Sequence, residues 1–342
     1  MAAQAPFLVA DQLTRAYGRT IALDHVDLAA RQGSVLAVLG PNGCGKTTTV
    51  RIFATLLRAD SGRALVGGHD VAADAAAVRA MIGLAGQYAA VDQFLTGQEN
   101  LELVAELRHL RRGESRREAE RLLARFGLTG AAGRLVRTYS GGMRRRLDLA
   151  AALIGHPLML FLDEPTTGLD PGSRHELWDL IGEQAAAGAT VLLTTQYMEE
   201  ADQLADQVAV LDRGQVIATG SPPELKAKVG GDHLELTVPD SDERQAAREL
   251  LGARAEPAGA AEPQIIRIPL QAGGGVPTAI VAELADRGVR VSDLQVHRPT
   301  LEDVFLRLTG QPVPTAPAPR GRRWRAIRPG CRRDTTPCSL DD

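Results

Sequence analysis

The chain has 342 residues, of which 44% are hydrophobic, 24% are charged and only 4% are aromatic, and its net charge is −3. So few aromatic side chains argue against a surface that stacks nucleic-acid bases, and the length suits one large and one small domain. The longest apolar window, residues 147–162, contains Asp148, His156 and Pro157 and therefore should not cross a bilayer. Residues 1–7 lack the pattern of a signal peptide. We therefore expect a cytoplasmic protein.

From residue 7 to about residue 220, short apolar runs alternate with longer helical stretches. The predicted strands include residues 34–39, 158–162 and 190–194, and the predicted helices include residues 116–126, 142–155 and 171–187. Uninterrupted apolar runs are typical of strands buried on both faces of a mostly parallel sheet. The pattern therefore predicts an α/β domain over residues 1–225, ending where Gly220, Pro222 and Pro223 break it.

A phosphate-binding loop follows the first of these strands. Its residues are Gly40, Pro41, Asn42, Gly43, Cys44, Gly45, Lys46, Thr47 and Thr48. The G-x-x-x-x-G-K-T spacing lets backbone N–H groups and a helix N-terminus face a polyphosphate, with Lys46 on the β and γ phosphates and the Thr47 hydroxyl on Mg²⁺. Cys44 is not a motif position; we expect an incidental small residue, although a thiol beside a cationic loop could be sensitive to alkylation.

A second glycine-rich helix start lies at Ser140, Gly141 and Gly142. Small residues at a helix N-terminus form an anion site, yet the chain has only one phosphate loop to supply a nucleotide. Further on, Asp163 and Glu164 end the apolar run at residues 158–162, which places both carboxylates at the carboxyl edge of the sheet. Asp163 is then a candidate Mg²⁺ ligand, and Glu164 is a candidate general base for an attacking water.

Beyond the first domain, the pattern predicts a small α+β domain over residues 226–310. The expected strands are residues 233–238, 265–270 and 289–296, and the expected helices are residues 242–251, 277–287 and 300–308. Residues 311–342 carry many prolines and seven arginines against three aspartates, and we expect a disordered basic tail. Such a tail could be drawn to anionic lipid, although a solvated tail with no role is the more frequent case.

In their order along the chain, these motifs resemble the ATP-binding cassette (ABC) family over about residues 7–220. The resemblance implies a P-loop NTPase fold and a head-to-tail dimer, in which Ser140 and the two following glycines cap the γ phosphate bound by the other copy. It also implies that Tyr17 stacks on adenine, that Gln87 senses Mg²⁺ and links to the membrane partner, and that Asp170 touches the other subunit. Taken singly, Tyr17 could be a core aromatic, Gln87 a surface amide and Asp170 a helix N-cap before Pro171.

A narrower resemblance involves Gln196, which stands where most ABC ATPases have a histidine. The run Thr-Thr-Gln-Tyr-Met-Glu-Glu-Ala-Asp at residues 194–202 and the ending Arg-Pro-Thr-Leu-Glu-Asp-Val-Phe at residues 298–305 look like the daunorubicin/doxorubicin-resistance type of bacterial exporter subunit. Glutamine can donate a hydrogen bond to a γ phosphate but carries no charge and cannot titrate. Hydrolysis could therefore be slower, yet in that subfamily the glutamine is not by itself a sign of an inactive enzyme.

The resemblance implies an ATPase that uses ATP and Mg²⁺, lies peripherally on the cytoplasmic face of the membrane and energises a separate permease that exports a drug or a hydrophobic natural product. Residues 88–103 are the expected docking region for the permease, and no nucleic-acid partner is expected. One alternative is a soluble ABC ATPase acting on DNA or ribosomes, but such proteins usually have paired cassettes or coiled-coil insertions, and this chain has neither. The other is a non-catalytic nucleotide sensor, which an ATPase assay distinguishes.

Overall fold

A computed structural model of the protein describes residues 5–87, 90–229, 233–255, 265–270 and 277–310. Its strands are β1 (Leu8–Tyr17), β2 (Thr20–Ala30), β3 (Val35–Leu39), β4 (Ser61–Val66), β5 (His69–Asp70), β6 (Ile82–Ala85), β7 (Met159–Asp163), β8 (Thr190–Thr195), β9 (Gln207–Asp212), β10 (Gln215–Gly220), β11 (His233–Thr237), β12 (Ile265–Pro269) and β13 (Asp293–His297). Its α-helices are α1 (Lys46–Phe53), α2 (Ala75–Met81), α3 (Gly97–Leu107), α4 (Arg112–Arg125), α5 (Gly141–Ala152), α6 (Pro171–Ala186), α7 (Met198–Leu204), α8 (Pro222–Val229), α9 (Ser241–Leu251), α10 (Pro277–Asp286) and α11 (Leu301–Thr309).

A six-stranded, mostly parallel sheet forms the centre of the first domain, in the order β10-β9-β3-β8-β7-β6. The apolar runs of β3, β7 and β8 are fully buried, as expected for central strands covered on both faces. Because these three strands are parallel, their carboxyl ends meet at one edge, where Leu39 pairs with Thr195 and Asp163 pairs with Thr194. The predicted α/β architecture is confirmed, and this edge carries the phosphate loop and the acidic pair.

Two layers cover this sheet. On one face, α1 packs with an antiparallel sheet of order β2-β1-β4-β5, in a core that includes Phe53 and Phe161. On the other face, α3, α4, α5 and α6 enclose a core that includes Leu101, Leu147 and Ile181. The antiparallel sheet was not predicted, because its strands are partly exposed and irregular: the register between β1 and β2 shifts at three places.

The C-terminal region contains an antiparallel sheet in the order β12-β11-β13, with α9 and α10 packed on one face. The predicted strand over residues 289–296 begins later than expected, at Asp293. Val289 donates its N–H to the carbonyl of Leu284 at 3.0 Å and closes the end of α10, so it is not available to pair with β11, and pairing starts where Asp293 meets Thr237.

The last helix, α11, returns to the first domain. Its residues Val304 and Phe305 join Leu39 of the central sheet and Leu225 of α8 in one buried cluster. Residues 225 and 226, the predicted boundary, lie inside α8, and the division of the chain at that point stays a prediction. The predicted tail, residues 311–342, lies outside the described residues. In the part of the chain that the structure describes, no helix is both long and apolar enough to cross a membrane.

Candidate functional site

The phosphate loop connects β3 to α1 through backbone conformations that only glycine adopts readily. Gly43 and Gly45 have φ angles of 82° and 116°, in the left-handed region that other residues avoid. A Cβ atom at Gly45 would lie 2.5 Å from the carbonyl oxygen of Ala22 in β2, so the loop is pressed against the antiparallel sheet. The first residues of α1, Lys46, Thr47 and Thr48, line the cleft described below, and a helix N-terminus in that position is the usual place for a phosphate.

Lys46 is buried at the base of this loop. Its ammonium group donates to the carbonyl oxygens of Gly40 at 2.8 Å and Pro41 at 3.0 Å, and it lies 3.3 Å from Oε1 of Glu164. A buried ammonium of this kind needs several oxygen partners to offset its lost hydration. The lysine predicted to bind phosphate and the glutamate predicted to act as base are thus in direct contact.

The acidic pair is held by neighbouring threonines. Oδ1 of Asp163 accepts from the hydroxyls of Thr194 at 2.6 Å and Thr47 at 3.2 Å. Glu164 adopts a left-handed φ of 49°, its N–H donates to the carbonyl of Thr194 at 3.0 Å, and its Oε2 accepts from Thr167 at 3.2 Å. A left-handed glutamate is strained, and such strain persists only where surrounding contacts impose it.

A cleft of about 370 Å³ opens beside these groups, and we call it the phosphate cleft. Its lining residues are Tyr17, Thr20, Ala22, Asn42, Gly43, Gly45, Lys46, Thr47, Thr48, Gln87 and Glu164. Tyr17 stands at the β1–β2 turn and is 45% exposed, with the Arg15 guanidinium 5.1 Å from its ring centroid. The ring is therefore partly accessible from the cleft, and its stacking on adenine stays a prediction. Gly40, Pro41, Cys44 and Asp163 are not among the lining residues.

Four other predicted residues lie together elsewhere, on an exposed surface that we call the signature patch: Ser140, Gly141, Gly142 and Asp170. Ser140 caps α5 by accepting from the N–H of Met143 at 3.2 Å, and Asp170 caps α6 by accepting from the N–H of Ser173 at 3.0 Å. A Cβ atom at Gly142 would lie 3.5 Å from Oγ of Ser173, which itself donates to Asp170 at 2.8 Å. None of these four residues lines the phosphate cleft of the same chain.

Two further predicted positions have distinct surroundings. Gln196 is half-buried and follows β8 directly; the preceding carbonyl, that of Thr195, accepts from the N–H of Gly40 at 3.3 Å, so Gln196 adjoins the phosphate loop. Cys44 is buried, and burial raises the pKa of its thiol despite the nearby Lys46. This agrees with the expected incidental residue and not with the alternative of an alkylation-sensitive thiol, because a buried neutral thiol is a poor nucleophile.

The chain is similar to known proteins over most of its length. Residues 23–167 match the model of the ABC transporter family, and residues 220–309 match the C-terminal domain of DrrA1-3-like ATP-binding proteins. The daunorubicin resistance ATP-binding protein DrrA2 of Streptomyces coeruleorubidus is 50% identical over 303 residues, which are 88% of this chain and 94% of the relative. The chain belongs to the ABC family of ATP-binding proteins. It is an ABC ATPase similar to the daunorubicin/doxorubicin resistance ATP-binding proteins.

A further relative and a solved structure also support the assignment to the ABC family. The daunorubicin/doxorubicin resistance ATP-binding protein DrrA of Streptomyces peucetius is 46% identical, over 88% of this chain and 92% of the relative. Among solved structures, an ATP-binding subunit of an ABC transporter superposes with a TM-score of 0.60 at 27% identity, covering 65% of this chain and 92% of that chain. The family assignment and the ABC fold predicted from the motifs are therefore confirmed.

Several residues that shape the ABC site were not predicted from the sequence. Thr194 holds Asp163, and Arg145 and Asp148 of α5 lie buried behind the acidic pair. The one available signal for these residues was their polarity within a largely apolar stretch. In the sequence, Asp148 served only as an argument that residues 147–162 do not cross a bilayer. Most partners of Arg145, and the Ala90 N–H from which Asp148 accepts, are backbone groups distant in sequence, which no local pattern reveals.

Proposed function

We propose that this ABC ATPase dimerises on ATP and drives a separate membrane permease that exports a drug or a hydrophobic natural product. The observation that supports the proposal is that the phosphate cleft and the signature patch share no lining residue within one chain, so each can serve as half of a site. The sequence has a single phosphate loop, so the helix N-terminus at Ser140 has no phosphate of its own to bind. A head-to-tail pair of copies joins each signature patch to the other copy's cleft and buries two ATP molecules.

The contact between Lys46 and Glu164 indicates how nucleotide binding prepares hydrolysis. Phosphate oxygens entering the cleft are charged acceptors, stronger than the neutral loop carbonyls, and the several charges of a polyphosphate would draw Lys46 away from the Glu164 carboxylate. Transfer of the ammonium to the β and γ phosphates leaves Oε1 of Glu164 free to accept a proton from an attacking water. Gln196, beside the loop, supplies a neutral amide donor to the γ phosphate.

The donor set also suits Mg²⁺. The Thr47 hydroxyl and the Asp163 carboxylate provide hard oxygens that already lie 3.2 Å apart, and Gln87 lines the same cleft. Among the described residues no cluster of three or more His, Cys, Asp or Glu could hold a metal alone, so phosphate oxygens and water would complete the coordination. Bound Mg²⁺ would neutralise charge that develops on the transferred phosphoryl group.

The exposed apolar side chains after Gln87 support the proposed permease docking region, and the names of the relatives support the proposed cargo. After Gln87, the large apolar side chains of Phe94 and Leu103 are exposed, which supports the proposed docking region at residues 88–103; Tyr88 and Ala89 lie outside the described residues. Docking there places the protein peripherally on the cytoplasmic face of the membrane. DrrA2 and DrrA are named for daunorubicin resistance, which supports a drug or related natural product as cargo.

The first test is to recover the tagged protein from detergent-solubilised membranes and to assay ATP hydrolysis in the eluate. We expect a polytopic membrane protein to co-purify and hydrolysis to disappear in Lys46→Ala. Glu164→Gln should abolish turnover while ATP-bound dimers accumulate, because the amide cannot take the proton. Retained turnover in Glu164→Gln would contradict the base assignment, and recovery with ribosomes or DNA instead of a membrane protein would contradict the transport proposal.

A further inference from the structure

Arg145 and Asp148 form a buried ion pair one turn apart on α5, outside the lining of the phosphate cleft. Nη1 of Arg145 lies 3.3 Å from Oδ2 of Asp148, and the two residues are only 8% and 2% exposed. Burial lowers the pKa of the guanidinium and raises the pKa of the carboxyl, so desolvation opposes both charges. A buried pair is a poor stabiliser compared with apolar residues of the same size. The role of the pair is therefore better explained by the backbone groups to which it is hydrogen-bonded than by its own contribution to stability.

The Arg145 guanidinium donates hydrogen bonds to the backbone on both sides of Glu164. Its Nη2 donates to the carbonyl of Asp163 at 3.1 Å, and its Nε donates to the carbonyl of Pro165 at 2.7 Å. Glu164, between them, has the strained φ of 49°. Fixing the carbonyls before and after a strained residue is the type of constraint that keeps its backbone, and hence its carboxylate, in one orientation.

The same pair holds the loop that contains Gln87. Nη1 of Arg145 donates to the carbonyl of Gly86, directly before Gln87, and Oδ1 of Asp148 accepts from the N–H of Ala90 at 2.7 Å. The pair therefore contacts the backbone on both sides of the Gln87 position. Because both side chains belong to α5, whose first residues form part of the signature patch, three parts of the site meet at one buried cluster.

We propose that Arg145 and Asp148 are positioning residues for ATP hydrolysis. They fix the Glu164 backbone and the backbone on both sides of Gln87 relative to α5, the helix that begins at the signature patch. The proposal rests on the proposed role of Glu164 as base. Neither Arg145 nor Asp148 lines the phosphate cleft, so removing the pair should leave ATP binding nearly intact and slow turnover. Small displacements of a catalytic group are enough to reduce turnover greatly.

The experiment compares Arg145→Met, which keeps an unbranched, flexible side chain but none of the donors, with Arg145→Lys, which keeps the charge but not the fork. The matched control is Arg146→Met on the same helix, whose guanidinium pairs with the exposed Glu176, at 3.5 Å. All are made in the full chain, in the form in which the wild type hydrolyses ATP. The dissociation constant of ATP, the kcat and the KM are measured, with kcat counted per ATP-binding site so that unfolded protein does not contribute.

We expect the kcat to fall on the order of 10- to 100-fold in Arg145→Met and less in Arg145→Lys, with ATP affinity within about threefold of the wild type. Arg146→Met should change neither quantity. An unchanged kcat per site, or a loss of ATP affinity as large as the loss of kcat, would overturn the proposal.

If Arg145→Met does not fold, Arg145→Lys and Asp148→Asn supply the same comparison. Asp148→Asn keeps an acceptor for the Ala90 N–H but removes the charge, and a drop in its kcat at unchanged ATP affinity is the expected result. Glu164→Gln, measured in parallel, tests the base assignment separately, because it leaves the carbonyls gripped by Arg145 in place. Retained turnover in that variant alone would remove the base assignment, while the effect of the Arg145 variants would still be decided by their own kcat.

Discussion

Asp148 should make this protein less stable as the pH rises, which is the opposite of the effect of most carboxylates. Burial raises its pKa from 3.8 to about 6, and the Ala90 N–H and Arg145 offset this only in part. Between these values the folded protein holds a proton that the unfolded chain has released, so stability is lost as the pH rises from about 4 to about 6. The full loss is about 3 kcal/mol, at about 1.4 kcal/mol per pH unit of difference.

Asp148→Asn removes this titration and provides the reference. We expect the free energy of unfolding of the wild type, relative to Asp148→Asn, to fall by about 1 kcal/mol between about pH 5 and pH 7, the part of the loss that is accessible above acid unfolding. Urea denaturation followed by far-UV circular dichroism, without nucleotide, measures both proteins at each pH. If the difference in the free energy of unfolding between the two proteins stays flat across this range, or rises with pH, the claim that burial raises the pKa of Asp148 would be refuted.

The remaining predictions concern the loop, the last helix and the thiol. Gly45→Ala should lower the melting temperature more than Gly43→Ala, because both have left-handed φ angles but only at Gly45 would the new Cβ collide with backbone; equal shifts in calorimetry would contradict this. Phe305→Ala should cost about 3–5 kcal/mol in chemical denaturation through the cavity it leaves, whereas Leu306→Ala on the exposed side of the same helix should cost little, and a small effect of Phe305→Ala would show that α11 does not dock. Cys44 should react with iodoacetamide far more slowly in native protein than in urea, as peptide mapping would show; rapid native labelling would exclude the buried, raised-pKa thiol.

The sequence by itself determined the motifs of the candidate site and the central sheet. The G-x-x-x-x-G-K-T spacing, the acids after an apolar strand and the Ser-Gly-Gly helix start each depend on neighbours a few residues apart, so local patterns were enough to predict them. The apolar runs of β3, β7 and β8 were equally clear, because strands buried on both faces have no polar residues to confuse the pattern. The irregular β1 and β2 carry no such pattern, and the antiparallel sheet was missed.

Only the tertiary structure decided which of these residues share a surface. It brought Lys46 onto Glu164 across more than a hundred residues and placed Gly142 and Asp170 on a separate patch, a division that spacing in the sequence cannot show. It also revealed Arg145, most of whose partners are backbone carbonyls. Every residue has such a carbonyl, so the sequence holds no sign of which ones a buried guanidinium will reach; that depends on how β7, the Gln87 loop and α5 pack together.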